Sequence, residues 1–399
     1  MICRVCPARS SCAGARKAHP FRIFFILAAA DATVSVALWL PKLLGFTAGN
    51  VAGVPLIVWH RDEILFGMMP AVLAGFVLTA LPRWTRGAPV TPAQVMLLAG
   101  LWLAGRVVHS VSVDSFAAVH VLASALAFVF VGALTLMAAR QIGASRAWRE
   151  IKVVLLLAGF TCAAGLALLR PADATSEMAM RLGLACVLAL VVVLGGRIAP
   201  ALTAAWLKAR GQSVSEAHSR WLDTTAALTV AVALGGWAIA TSSEITAVAS
   251  AFACVTQAGR LALWKGWRAA GSAPVLALHV AYGWIPAGFA LHAAAVFWPS
   301  FVSQAAAVHA WAIGAIGLMS VAVMASMIRR HSRTPFAVSG LMSLSLASVA
   351  IAAPARIAAE IIPDGRQYWL ILSALGWVAG FALFLLAFRN PLLRRRDMV

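Results

Sequence analysis

The sequence predicts an all-α, polytopic membrane bundle of about twelve spanning helices, with both termini in the cytoplasm. Three observations carry that expectation. Of 399 residues, 62% are hydrophobic and only 11% charged, and the mean hydropathy is +0.90. An average soluble domain has roughly 45–50% apolar and about 25% charged residues. So few charges cannot cover so much apolar surface, and part of the solvent must be lipid. The chain also divides into twelve apolar windows near the roughly 20 residues that span a bilayer. Finally, Lys and Arg recur in alternate connections, as the positive-inside rule requires.

Residues 1–20 read as a basic cytoplasmic tail carrying Arg4, Arg9, Arg16 and Lys17, without the short apolar core and small-residue cleavage site of a signal peptide. The twelve windows follow near 21–44, 63–82, 92–110, 114–138, 151–169, 178–206, 223–241, 245–265, 273–297, 303–328, 336–356 and 367–388. The sixth is long enough to bend or to continue past Pro200. Connections are short, as in a compact bundle. Together these windows make a transmembrane domain over 21–388, closed by a basic tail at 389–399 with Arg389, Arg394, Arg395 and Arg396. With an inside N-terminus, the tails and even-numbered loops hold all but seven of the 32 Lys and Arg. Most acids, including Asp62, Glu63, Asp114, Glu177, Glu244, Glu360 and Asp364, fall on the other side. A miscount by one helix would scramble this alternation in every later loop.

The formal net charge of +19 would suit nucleic acid. The basic residues are dispersed in short loops, however, and form no single face, so the partner they imply is the lipid bilayer. Cys3-x-x-Cys6 has no second pair to complete a metal site. Cys162, Cys186 and Cys254 sit within apolar runs as small core residues.

Chemistry is sought among ionisable groups at membrane depth, where they are costly and tend to mark functional pathways. His60 falls just outside the second window, and Glu63 lies three residues on, one helical turn away on the same face. His309 lies about two turns into the tenth window. These three are candidates for one outer-side metal site. His279, on a face with Tyr282 and Pro286, lies about two turns from the cytoplasmic end of the ninth window. His331 follows the tenth window on that side. These two are candidates for an inner-side site, with Arg83, Trp84 and Arg197 at similar depth. Imidazole is the commonest axial ligand of haem iron and also suits copper. Gly195, Gly196, Gly314 and Gly317 would make room for a macrocycle. The bland alternative for each lone histidine is a hydrogen-bonded packing residue, and for His109, His120 and His292 it stands ahead of the ligand role. Asp31 suits either a proton relay or an ion pair with a neighbouring Arg. Arg106 and Arg181 are placed to snorkel to the interface, and Glu63 at an interface also reads as a solvated helix cap.

Several runs together resemble the NnrS family. They are Phe21-Arg22-x-Phe24-Phe25, Trp59-His60-x-x-Glu63-x-Leu65-Phe66-Gly67, Ala74-Gly75-Phe76-x-Leu78-Thr79-Ala80-x-Pro82-x-Trp84-Thr85, Gly195-Gly196-Arg197-Ile198-x-Pro200-Ala201-x-Thr203, Leu278-His279-x-x-Tyr282-x-Trp284-Ile285-Pro286 and Val308-His309-Ala310 with Gly314-Ala315-Ile316-Gly317. They occur in family order across nearly the whole chain. The resemblance implies a twelve-helix protein of the bacterial inner membrane that binds haem and copper and serves nitric oxide metabolism or nitrosative stress relief. Nitric oxide or its metal adducts would be its ligand. The resemblance also implies family histidine positions at His60, His279, His309 and His331, and the family glutamate at Glu63. Two departures stand out. Asp62 occupies the place of a second histidine in the family's His-x-His-Glu, a poorer partner for Cu(I) than His or Met, and Met68 or Met69 would have to compensate. Around His331 the chain reads Arg-His-Ser-Arg-Thr-Pro where the family has Gly-His-Thr-Gly-Arg-Pro.

The competing class is a secondary transporter, for which twelve helices with both ends inside is a frequent layout. Pro70 and Pro286 interrupt windows, but without the correspondence between halves expected of inverted repeats. A haem–copper oxidase relative is disfavoured by the scarcity of helix-interior histidines and the presence of only two tyrosines.

Overall fold

The computed structural model describes residues 19–45, 50–51, 54–110, 116–169, 174–213, 219–332, 334, 336, 338–362 and 364–393. The expectations for residues 1–18, His218, Arg333, Pro335 and 394–399 lie outside these residues. Of the described residues, 88% are helical. Among the described residues there are twelve long helices: α1 Pro20–Leu43, α2 Leu56–Thr85, α3 Pro92–Ser110, α4 Phe116–Ser145, α5 Ile151–Leu169, α6 Ala174–Lys208, α7 Arg220–Ile239, α8 Glu244–Leu263, α9 Ala273–Phe297, α10 Gln304–His331, α11 Gly340–Ile361 and α12 Arg366–Leu393. All but α3 are long and apolar enough to cross a membrane. α3 falls short because Arg106 and His109 dilute its second half. A two-residue strand pair, Asn50–Val51 with Val54–Pro55, lies between α1 and α2.

Local sequence sets several of these boundaries. Ser219, Ser303 and Ser339 each accept a bond from the backbone N–H three residues on (3.3 Å in each case), capping α7, α10 and α11. α6 runs through Pro200 and stops at Gly211, whose φ of 67° lets Gln212 N–H reach back to the Leu207 carbonyl at 3.0 Å. Two expectations are corrected. α2 begins at Leu56, so His60 is inside the helix; the polar run beside it is buried in the bundle instead of marking an interface, with Trp59 at 2% and Asp62 at 8% exposure. α12 continues to Leu393, so 389–393 are helical and not tail. Hydropathy reports where apolar side chains end, whereas backbone hydrogen bonding carries a helix through polar residues.

The core is continuous. α1 packs between α2 and α12, burying Phe21, Phe24 and Phe25 completely. Trp377 of α12 donates its indole N–H to the Ala32 carbonyl at 2.9 Å. Exposed Leu97, Leu155, Leu228, Ile245, Phe252 and Val255 form the apolar exterior that lipid would cover. α2 and α10 are the most enclosed spans, with 83% and 72% of their apolar windows buried. Both contain a π-helical segment, Glu63–Met68 in α2 and Ala310–Gly317 in α10. In α2 the Met69 N–H reaches the Ile64 carbonyl, five residues back. The wider turn directly precedes Pro70, which has no N–H to offer and whose ring would crowd a carbonyl in a regular α-turn. π-turns occur frequently at functional sites.

Candidate functional site

Between these two helices lies a cavity of about 360 Å³, completed by α1, α6, α11 and α12. His60 comes from the α-turn before the π-segment of α2, and His309 from the turn before that of α10. Both line the cavity, as do Met68, Met69 and Met180, with Arg61, Glu177, Gln304 and Arg356 supplying the polar wall. The His309 Nδ1–H donates to the Ala305 carbonyl at 2.8 Å, which leaves the Nε2 lone pair for the cavity. A metal-ligating histidine characteristically anchors its other nitrogen in this way. His60 stacks on Trp39, with ring centroids 4.2 Å apart. Three buried polar atoms without a hydrogen-bond partner belong to residues of this wall: His60 Nδ1, Trp39 Nε1 and Gln304 Oε1. Buried polar groups in native proteins are nearly always satisfied. All three, unpartnered among the described residues, belong to side chains that line one cavity.

Glu63 does not face this cavity. It is 2% exposed and turned toward α3, where Arg106 Nη1 donates to its Oε2 at 2.6 Å and His109 Nδ1 bonds the same oxygen. Asp31 of α1 lies near the same pair, with its Oδ2 buried and without a hydrogen-bond partner among the described residues. The expected shared face of His60 and Glu63 fails although the turn between them is regular α-helix, with the Glu63 N–H on the Trp59 carbonyl: three residues leave the two side chains about 60° apart around the axis, enough for one to face the cavity and the other α3. Arg106 is likewise corrected: its side chain is 12% exposed and ion-paired, not snorkelled. It reaches Glu63 across Gly67, where a Cβ would lie 2.2 Å from Nη1. Trp102 closes the Gly67 carbonyl at 2.8 Å, and Trp59 donates to the His109 carbonyl at 3.2 Å. Asp62 is salt-bridged to Arg61 at 2.9 Å and lines a water-sized crevice with Arg106 and His109, not the cavity.

The inner-side pair is split. His279 is buried, with Nε2 at 2.7 Å from Thr203 Oγ1. That hydroxyl already donates to the Ala199 carbonyl at 2.9 Å, so it accepts from the ring, and His279 Nδ1 is left bare and unpartnered against Gly266. Neither nitrogen is presented to open space. His331 lies apart, against Phe21 at 4.8 Å and His19 at 6.3 Å, with Nδ1 bonded to the Met327 carbonyl at 2.8 Å. Trp84 packs on Phe76 and lines neither cavity, and Arg83 is exposed. Arg197 makes a two-point pair with Glu150 at 2.9 and 2.8 Å and faces a second cavity. Tyr282 is fully buried; it donates to Gln257 at 2.5 Å and accepts from Arg260 at 2.7 Å. His292 has both nitrogens occupied, by Ser250 Oγ and the Thr241 carbonyl, each at 2.9 Å. Among the described residues no group of three or more His, Cys, Asp or Glu forms a ready metal cage. The glycines expected to admit a macrocycle seat indoles instead: a Cβ on Gly314 would lie 2.3 Å from Trp284, and one on Gly317 2.5 Å from Trp377.

A family model described as NnrS protein matches residues 17–396. The chain belongs to the NnrS family. Comparison with curated proteins finds no match. The match spans every helix above, so the cavity between α2 and α10 is part of the NnrS body and not an appendage to it. Of the positions the resemblance singles out, His60 and His309 meet at one cavity, whereas Glu63, His279 and His331 each belong to a different packing environment. His109 was undervalued in the sequence because nothing local pairs it with Glu63, 46 residues away.

Proposed function

We propose that this NnrS protein is a metal-binding protein of the bacterial inner membrane that handles nitric oxide or its metal adducts, and that the α2–α10 cavity is its metal centre. One observation carries the reading. Imidazoles from the two most enclosed helices line the same cavity, and residues of its wall carry three buried polar atoms with no hydrogen-bond partner among the described residues. His60 and His309 would hold a haem iron or a copper ion, with Met68, Met69 and Met180 as soft neighbours that favour Cu(I). Such a metal supplies binding of a diatomic ligand. The chain supplies the rest. Ala305 fixes the His309 tautomer, Trp39 orients the His60 ring, and Ile313, Ile316 and Trp377 keep water away.

The test is an absorption spectrum of the purified protein, oxidised and reduced, with metal analysis, after haem- and copper-sufficient expression. Wild type should carry haem, copper or both. His60→Ala and His309→Ala should each lose most of the metal or shift the spectrum, and His331→Ala should do neither. Folded wild-type protein with no Soret band and no copper would refute the metal reading and bring transport forward. Metal retained unchanged in both cavity variants would refute this site.

A further inference from the structure

The second cavity, about 720 Å³, lies among α6, α7, α8 and the start of α5. Its charge is what distinguishes it. Lys152, Arg197, Arg260, Lys265 and Arg268 line it, and the acids that answer them are Asp223 in the wall and Glu150 behind Arg197. Among the described residues, five basic side chains against two carboxylates leave a net of three positive charges. Arg197 is committed to Glu150, and Arg260 to Asp223 at 2.6 Å. Lys152, Lys265 and Arg268 have no carboxylate within 4.0 Å among the described residues; Arg268 has only the Ser213 carbonyl, at 3.1 Å.

The cation cluster is also held in place. Arg260 lies over the Trp264 ring, 5.2 Å from its centroid, and donates to Tyr282. It crosses α6 at Gly196, where a Cβ would lie 2.7 Å from both terminal nitrogens. Lys265 adopts φ of 52° at the end of α8, and the following turn folds Arg268 back onto the same wall. Opposite the charges stand Val192, Val193, Leu207 and Leu263. An anion entering here meets fixed guanidinium groups backed by a low-dielectric wall, which strengthens the attraction over that at an open surface. Arginine forks and lysine point charges match phosphate oxygens. Basic pockets between membrane helices characteristically take lipid head groups.

We propose that this cavity binds a phosphate-bearing anion, independently of the metal centre. The phosphate comes either free or on an anionic phospholipid whose chains lie against the apolar wall, and two arms separate these sources. In the first, detergent-solubilised full-length protein is titrated with inorganic phosphate. In the second, the protein is placed in nanodiscs of phosphatidylcholine with or without one-fifth phosphatidylglycerol, and retained lipid is counted by native mass spectrometry after extraction. Saturable binding in either arm is expected, and the Lys152→Gln, Lys265→Gln, Arg268→Gln triple variant should weaken it at least tenfold. The single Lys265→Gln variant, expected to weaken it about threefold, is the measure if the triple variant fails to fold. Absence of saturable binding in both arms would overturn the proposal. So would binding that the folded variant leaves unchanged. Metal content in these variants should equal that of wild type, so this result and the metal reading stand or fall separately.

Discussion

Gly67→Ala is a sign test of the buried ion pair. In a helix interior, Gly to Ala is expected to stabilise by about 1 kcal/mol through backbone entropy. Here the new methyl would lie 2.2 Å from Arg106 Nη1 and 2.9 Å from its Cζ. Ordinary contact needs about 3.5 Å, so the guanidinium must move by roughly 1 Å or more. Its bond to Glu63, now 2.6 Å, cannot survive that displacement. Losing a hydrogen bond to a charged group costs about 1.5–3 kcal/mol, and leaving the buried charge without its partner costs roughly 3–5 kcal/mol. These are two measures of one lost interaction and bound its cost at about 1.5–5 kcal/mol, so the helix gain of about 1 kcal/mol leaves a net destabilisation of about 0.5–4 kcal/mol.

Reversible unfolding in mixed micelles, followed by circular dichroism, measures the difference. The decisive comparison is the same substitution in an Arg106→Gln background, where the shorter side chain leaves space. There Gly67→Ala should be neutral or stabilise by up to about 1 kcal/mol. Gly100→Ala is the control, because nothing lies within 4 Å of its ideal Cβ. An equal effect of Gly67→Ala in both backgrounds would refute the view that the glycine exists to admit the guanidinium.

Two further outcomes follow from hydrogen-bond inventories. His292→Ala orphans Ser250 Oγ and the Thr241 carbonyl and should cost about 1–3 kcal/mol, while metal content and visible spectrum stay those of wild type; a lost spectrum would make His292 a ligand after all. Thr203→Val removes the acceptor of the His279 Nε2–H and should cost about 1–3 kcal/mol, with Thr203→Ser retaining most stability. Equal unfolding energies for the Val and Ser variants would show that this bond contributes nothing.

The membrane class and the twelve helices were legible because they depend on apolar length, a property each segment carries alone. That His60 and His309 line one cavity was legible too, since depth in the second and tenth helices sorted them to one end of the bundle. What was hidden depends on azimuth. Depth cannot say that His279 turns toward Gly266 and Thr203, that His331 sits with Phe21, or that Gly314 and Gly317 seat Trp284 and Trp377. The Glu63–Arg106–His109 cluster joins helices 43 and 46 residues apart in sequence, and no periodicity within α2 announces α3 as its partner.

Glu63 shows most clearly why. Three residues from His60 is one turn of an α-helix, and on that spacing the pair belongs to one site. The turn between them is regular, with the Glu63 N–H on the Trp59 carbonyl, but three residues leave the side chains about 60° apart around the axis, and imidazole and carboxylate turn to different neighbours. His60 is left to the cavity with His309, while Glu63 joins Asp31, Arg106 and His109 in a polar corner of its own. The π-segment of α2 begins at Glu63, and that of α10 one residue after His309, at Ala310. Each enclosed helix thus switches from α to π next to the histidine it offers. A π-turn leaves helix geometry less regular and is retained where it aims a group that a regular turn would misplace. The α2 turn also accommodates Pro70, which has no N–H to offer, and both turns flank the cavity that His60 and His309 line.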